Sequence, residues 1–200
     1  MVKIYEELEQ GSEEWFEIRR GKMTASHANT IKANGKGLDT YCIDKAVEVF
    51  SEEREEHISN VHTRRGNELE PIAKAYYEER KGVEVKEIGF AEYNDYVGVS
   101  PDGLVGDDGL IEIKCPAGKG YLYALLGSDI KPEYYDQMQM QMLVMNREWC
   151  DFVQFNPNFP NPMLVRRVFP DKEVQDKLLK GFASGEKKIK ELVERAKTIS

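Results

Sequence analysis

The stretch Ser100-Pro101-Asp102-Gly103-Leu104-Val105-Gly106-Asp107-Asp108-Gly109-Leu110-Ile111-Glu112-Ile113-Lys114 decides how the rest of the chain is read. Asp102-Gly103 and Gly106-Asp107-Asp108-Gly109 are turn chemistry, since glycine supplies positive φ and aspartate bonds its own backbone. The runs beside them are short and rich in Val, Leu and Ile, as strands are. Residues two apart on a strand share a face. Glu112 and Lys114 therefore project together, Ile111 and Ile113 face the other way, and Asp102 can fold back from the turn. Two carboxylates on one face are oxygen donors for a hard divalent cation, and a neighbouring lysine can help to deprotonate a water for phosphodiester hydrolysis. The same spacing suits a surface hairpin with an acidic turn, so spacing alone leaves both readings open.

Outward from this hairpin, residues 83–91, 96–99, 152–155 and 163–168 read as further strands. Helices are predicted around them. Ser12 caps one, with Glu13 and Glu14 in its first turn where the dipole favours acids, and Gly21 closes it. Ser26 caps a second, which Gly35 stops. A third spans 41–50 with Ile43, Ala46, Val47 and Phe50 on its buried face. A fourth follows Gly66, buries Leu69, Ile72, Ala73 and Tyr76, holds Pro71 in its first turn, and ends at Lys81-Gly82. Residues 121–126 and 134–145 are helical. In the latter Tyr134, Met138, Met142 and Met145 form a core stripe, although the Met-Gln alternation also fits a strand. Residues 171–197 make a long amphipathic helix with Gly181 and Gly185 as weak points. The charged run 52–57 reads as a solvated face or loop. The predicted class is α/β or α+β, a small mixed central sheet flanked by helices. It is expected to form one domain over residues 1–200, with an N-terminal helical segment and a long C-terminal helix.

Composition narrows the function. At 40% hydrophobic and 32% charged residues the chain is a globular type with enough apolar material for a core. No apolar run approaches the ~18 residues of a membrane span, and the acidic N-terminus lacks a signal core. Cys42, Cys115 and Cys150 have no CxxC spacing, which argues against a disulfide scaffold, a zinc knot or an iron–sulfur cluster and favours a reducing cytoplasm. His27, His57 and His62 are too scattered for a triad. A net charge of −8 disfavours passive DNA coating. It is compatible with an enzyme that gathers carboxylates at a metal and keeps its basic residues in one groove.

Four blocks, in order, resemble the lambda-type exonucleases, the YqaJ-like viral recombinase nucleases of the PD-(D/E)xK superfamily. They are Gln10-Gly11-Ser12…Trp15…Arg19…Gly21…Thr24-Ala25-Ser26, then Gly66-Asn67-Glu68-Leu69-Glu70, then Ser100-Pro101-Asp102-Gly103-Leu104 with Glu112-Ile113-Lys114-Cys115-Pro116, and Tyr134…Gln137-Met138-Gln139. The resemblance implies a restriction-endonuclease-like core. It also implies a Mg²⁺-dependent 5′→3′ exonuclease that digests double-stranded DNA from 5′-phosphorylated ends by a two-metal mechanism. The products would be 5′-mononucleotides and a 3′ overhang for recombination, with Mn²⁺ able to replace Mg²⁺. Asp102, Glu112, Glu70 and the main-chain carbonyl of Ile113 would ligate the metals, Lys114 would act on the attacking water, and Gln137 would stand near the scissile phosphate. Arg19, Ser26 and Ser100 would grip the terminal 5′-phosphate. A homotrimer and a single-strand annealing partner protein are implied in the same way.

Read by themselves, several of these residues keep a plainer meaning. Asn67 and Glu70 suit a loose capping box, Glu68 is the alternative carboxylate, and Arg19, Ser26 and Ser100 suit a surface, a helix cap and a turn. Ser26 at a helix start also faces main-chain N–H groups that attract anions. Gln139 is a weaker match than Gln137, and Gln141 has none. Lys119, Tyr121 and Tyr123 could touch an unpaired strand, or the tyrosines could pack in the core. The family's apolar wedge has only the polar segment 61–65 near its place, its minor-groove arginine only Gly35-Lys36, and its further acid Glu92 or Asp95, which are left outside the site. The rival functions are a structure- or sequence-specific endonuclease of the same superfamily and a non-catalytic DNA-end-binding protein.

Overall fold

The structure, a computed structural model, describes residues 2–51 and 61–198, with residues 61–64 traced by their backbone only. The charged run 52–57 lies outside the described residues. The α/β class is as the sequence predicts, but the described strands divide between two mixed sheets. The first holds β1 (Lys3–Tyr5), β4 (Phe90–Asn94), β5 (Val97–Val99) and β2 (Met23–Thr24), in that order across the sheet. The second holds β3 (Val85–Lys86), β6 (Gly103–Val105), β7 (Gly109–Lys114), β8 (Trp149–Phe155) and β9 (Met163–Val168). Only β2·β5 and β7·β8 pair in parallel among the described strands.

The division falls at Gly89. The strand expected over 83–91 is broken into β3 and β4, which belong to different sheets. The N-terminal segment packs directly on Gly89, whose N–H donates to the Tyr5 carbonyl at 3.0 Å. A Cβ at this position would stand 2.0 Å from the Leu8 carbonyl oxygen, so no larger residue lets β1 dock on β4. This contact is remote in sequence, which hides it from a local reading.

Around the sheets lie α1 (Glu13–Arg19), α2 (Ala28–Ala33), α3 (Lys36–Phe50), α4 (Val61–Lys81), α5 (Gly118–Leu125), α6 (Pro132–Met145) and α7 (Lys172–Lys197). The parallel pair β7·β8 demands a crossover, and α5 and α6 supply it. Residues 134–145 are helical rather than extended. Met138 and Met142 are buried as a stripe should be, and Gln139, Met140 and Gln141 are buried too, because elements pack on several sides of α6.

Several helices depart from expectation. α3 begins at Lys36 and buries Leu38, Tyr41, Cys42 and Ala46, leaving Ile43, Val47 and Phe50 exposed. α4 runs through Gly66, so Pro71 sits in its interior rather than in its first turn and no capping box forms at Asn67. Proline there forfeits a helical hydrogen bond; tertiary contacts hold the turn, including Arg65 Nε donating to the Cys115 carbonyl at 3.2 Å. The buried face of α4 is Ala73 and Tyr77, not Ile72 and Tyr76. Glu70 lies three and seven residues before these, on the same face. In α7, Gly181 and Gly185 are points of close approach instead of weak points. A Cβ at Gly181 would lie 2.1 Å from the Ile31 carbonyl oxygen, and one at Gly185 would lie 2.4 Å from Met23 Sδ.

Two cores result. Ile111 and Ile113 of β7 pack with Ala73 and Tyr77 of α4, together with Val153 and Phe155. Leu110 and Phe152, on the opposite face, pack with Met138 and Met142 of α6 and with Leu178 of α7. Glu112 stands on this second face at 0% exposure. A carboxylate so placed must be paired or bind a cation.

Candidate active site

β6 pairs with β7 only as far as Gly103 opposite Ile111. Beyond that point Asp102 replaces the missing strand partner, and its Oδ2 accepts the Ile113 N–H at 2.5 Å. The hairpin thereby brings Asp102 beside Glu112, and α4 adds Glu70. Burial, then the charges of Glu112 and Glu70, push the Asp102 carboxyl well above its ordinary range. Burial and Glu112 raise Glu70 as well. Lys114 Nζ donates to Glu112 Oε1. Burial works to lower the Lys114 ammonium, but Glu112 and Asp102 outweigh it and hold it above its usual value. From α6, Gln137 Nε2 donates to Glu112 Oε1 and Gln141 Nε2 to Glu112 Oε2, each at 2.7 Å. A cavity of about 420 Å³, lined by Glu70, Lys74, Gln10 and Asp102, opens onto the cluster.

Three carboxylates meet at Lys114, with Lys74 acting on Glu70 as well, so negative charge is in excess. Burying that excess of negative charge is costly unless a cation offsets it. Oxygen donors of this kind suit Mg²⁺, which needs few protein ligands and keeps room for phosphate oxygens. Lys114, Gln137 and Gln141 hold the Glu112 oxygens, and among the described residues no three His, Cys, Asp or Glu side chains are set as a ligand group. Ion entry would therefore require the Glu112 side chain to exchange one of these donors.

Two residues before Asp102, Ser100 anchors a second cluster. Its Oγ accepts from Arg19 Nη1 at 3.1 Å and from Trp15 Nε1 at 3.0 Å, and donates to the Gly89 carbonyl at 2.8 Å. The Arg19 guanidinium lies 3.8 Å from the centre of the Trp15 ring, four residues earlier on α1. Burial pulls Arg19 down to about 10, with Tyr41 and Glu48 offsetting part of the cost. An arginine desolvated in this way, with no carboxylate fork in contact among the described residues, is prepared for an oxyanion.

Ser26 joins this pocket less directly and not as predicted. It lies in a short 3₁₀ turn, Ala25–His27, and caps no α-helix. Its Oγ is 3.3 Å from Thr24 Oγ1, and the Thr24 N–H donates to the Tyr41 hydroxyl at 3.1 Å. His27 stacks on the Tyr41 ring at 4.2 Å, with Nδ1 3.2 Å from Ser26 Oγ. Burial, then Lys45 and Arg19, lower the His27 pKa, with Asp44 and Glu48 opposing them.

The structure thus brings Asp102, Glu112, Glu70, Lys114 and Gln137 together, with the Ile113 N–H bonded into the cluster, and places Arg19 and Ser100 alongside. Gln141 has no counterpart in the motif blocks, although its i+4 spacing from Gln137 puts both on one helical face. Trp15 has the same spacing to Arg19, and Tyr41 carries no local signal. Gln139 turns away, donating to the Phe169 carbonyl and accepting from the Asp171 N–H. Tyr121 is core, with its hydroxyl donating to the Asn161 carbonyl, while Tyr123 is exposed beside Lys119. Glu92 is occupied by Tyr5 and Lys22, away from the cluster.

The YqaJ-like viral recombinase domain matches residues 14–148, and the chain belongs to that family. An alkaline exonuclease from Laribacter hongkongensis is 34% identical, with a TM-score of 0.81, covering 94% of this chain and all of its own. A structure of the same enzyme in complex with dAMP, 35% identical, superposes with the same TM-score and coverage. A phage-related exonuclease from Haemophilus somnus 129PT shares the fold at 18% identity, with a TM-score of 0.68 over 88% of this chain and 96% of its own. Protein R354 of Acanthamoeba polyphaga mimivirus is 28% identical over 77% of this chain, which spans 30% of that relative's length.

Proposed function

We propose that this protein is a divalent-metal-dependent exodeoxyribonuclease that degrades duplex DNA 5′→3′ from 5′-phosphorylated ends. It would release 5′-mononucleotides and leave a 3′ single strand. The observation that carries this reading is the placement of the Arg19–Ser100 pocket two residues from Asp102. An anion-seeking arginine is fastened to the carboxylate cluster by Ser100-Pro101-Asp102. The family membership and the likeness to an alkaline exonuclease support the same chemistry.

Asp102, Glu112, Glu70 and the Ile113 carbonyl would hold two Mg²⁺ ions, with Mn²⁺ as a substitute. When bound, the ions would supply positive charge at the phosphoryl oxygens and favour ionisation of the attacking water. Lys114 would orient that water with its ammonium, and Gln137 and Gln141 would fix the Glu112 carboxylate. Arg19 and Ser100, aided by Ser26, would hold the terminal phosphate so that the next phosphodiester lies at the carboxylates. A trimer encircling duplex DNA, an annealing partner that receives the overhang, and a cytoplasmic location belong to this proposal. Among the described residues no helix is long and apolar enough to cross a membrane.

The test compares linear duplex bearing 5′-phosphate or 5′-hydroxyl ends, with Mg²⁺ or with EDTA, beside a closed circular plasmid. The expected result is metal-dependent loss of the phosphorylated duplex, slower loss of the hydroxyl form and an intact circle. Nicking of the circle would favour an internal cutter. Binding without turnover would favour an end-binding protein. Asp102→Ala, Glu112→Ala and Lys114→Ala should each abolish cleavage.

A further inference from the structure

Resting on the exonuclease reading, we propose that Arg166 binds a phosphodiester of the digested strand, the one next to the scissile bond on its 3′ side. In register, Glu112 of β7, Phe152 of β8 and Arg166 of β9 lie directly opposite one another. Side chains in such a row project from one face of the sheet. Arg166 therefore shares the face of the carboxylate cluster, two strands away. Ser100 and Arg19 flank β7 on its β6 side, and β8 and β9 extend the sheet the other way. A strand with its terminal phosphate at Arg19 and its scissile bond at Glu112 runs on towards β9.

The arginine is held but not neutralised. Nη1 donates to the Ser128 carbonyl at 2.6 Å, Nη2 to Gln154 Oε1 at 2.7 Å, and the guanidinium sits 5.7 Å from the centre of the Phe152 ring. Gln154 is itself buried and pairs with Lys114 in the β7·β8 register. Nε is buried without a partner, and among the described residues Arg166 makes no ion pair. Burial lowers its pKa, and Asp129, acting through space, restores only part. The neighbouring arginine shows what a structural role looks like. Arg167 points to the other face, where Asp151 takes both Nε (2.7 Å) and Nη2 (2.9 Å) and its guanidinium stacks 3.6 Å from the Trp149 ring. A guanidinium has five N–H donors in a fork that matches phosphate. Arg166 spends two of them on neutral oxygens, which aim the group and leave its charge available.

The test is a cycle between protein and DNA, read as equilibrium binding of a fluorescent 5′-phosphorylated duplex end with Ca²⁺ in place of Mg²⁺. Arg166→Gln keeps an amide donor for Ser128 or Gln154 and removes the charge. A methylphosphonate at the second phosphodiester from the 5′ end removes the charge of the partner. Each change alone is expected to weaken binding about tenfold, and both together no more than either one. The salt slope of the variant should fall by about 1. A structural arginine would not move with the methylphosphonate, and an unchanged thermal midpoint confirms that the fold is retained. Additive losses, or full affinity in Arg166→Gln, would overturn the assignment while leaving the exonuclease reading in place. Failure of the wild type to bind any 5′-phosphorylated end would overturn both.

Discussion

Replacing Asp102 by asparagine should make the metal-free protein more stable while destroying its activity. Asp102 is pushed well above the ordinary carboxylate range by burial, by Glu112 and by Glu70. Two acids act on it, and Lys114 is the cation that opposes them. At an effective dielectric near 20, a close like-charge pair costs on the order of 2–4 kcal/mol. One such repulsion remains after Lys114 is set against the other. Against this gain, the Ile113 N–H bond to Oδ2 becomes neutral when asparagine accepts it, losing about 1 kcal/mol. The net expectation is a gain of about 1–3 kcal/mol, or about 2–12 °C in melting temperature for a chain of this length.

The pH dependence has a definite sign. An acid whose folded pKa is raised binds its proton more tightly when folded, so its ionisation costs stability. The cost is absent below the ordinary aspartate value, grows as pH rises, and is complete above the raised folded value. The advantage of Asp102→Asn should therefore be present at pH 7.5 and shrink towards pH 4. Thermal denaturation in EDTA across this range measures it. Adding Mg²⁺ should raise the wild type and leave the variant nearly unmoved. A variant less stable than wild type at pH 7.5 in EDTA, or a difference that ignores pH, would refute the charge argument.

Gln141→Leu removes the donor to Glu112 Oε2 from a buried position, and turnover should fall about 10- to 100-fold with little change in helical circular dichroism. Unchanged single-turnover rates would show that Gln137 alone suffices. Arg19→Lys cannot reproduce both the stacking on Trp15 and the fork, so the rate advantage of 5′-phosphate over 5′-hydroxyl ends should drop about tenfold or more. Gly181→Ala, which would gain about 1 kcal/mol by helix propensity in an exposed helix, should instead cost about 1–3 kcal/mol because the methyl meets the Ile31 carbonyl. A higher melting temperature for that variant would contradict the packing of α7 on α2.

The parts of the molecule legible in the sequence are those governed by near neighbours. Alternation and turn glycines located β7 and the Asp102 hairpin, and the Met stripe located α6. The misread parts depend on contacts made elsewhere. Gly89 separates two sheets only because Leu8 lies against it, and α4 passes through Gly66 and Pro71 while Arg65 is anchored at Cys115. The apolar spacing of α4 is met by Ile72 and Tyr76 as well as by Ala73 and Tyr77, and only packing against β7 and β8 selects the second pair. That same rotation carries Glu70 towards Asp102. Ser26 lost its expected cap because Thr24 and Tyr41, not a helix, determine its surroundings. Gln141 was visible through its spacing from Gln137 but had no meaning until Glu112 was known to be buried.

The parallel pairing of β7 with β8 has a consequence for the order in which the molecule comes together. Helices form within about a microsecond, whereas strands joined by a long crossover must first close that loop. The site needs this slow pairing, and it needs Arg19 to meet Ser100, 81 residues along the chain. During refolding, helical signal should therefore return well before catalysis. A growing chain that has not yet produced α6 and β8 has no support for Glu112, so the capacity to cut would be withheld until the fold is complete.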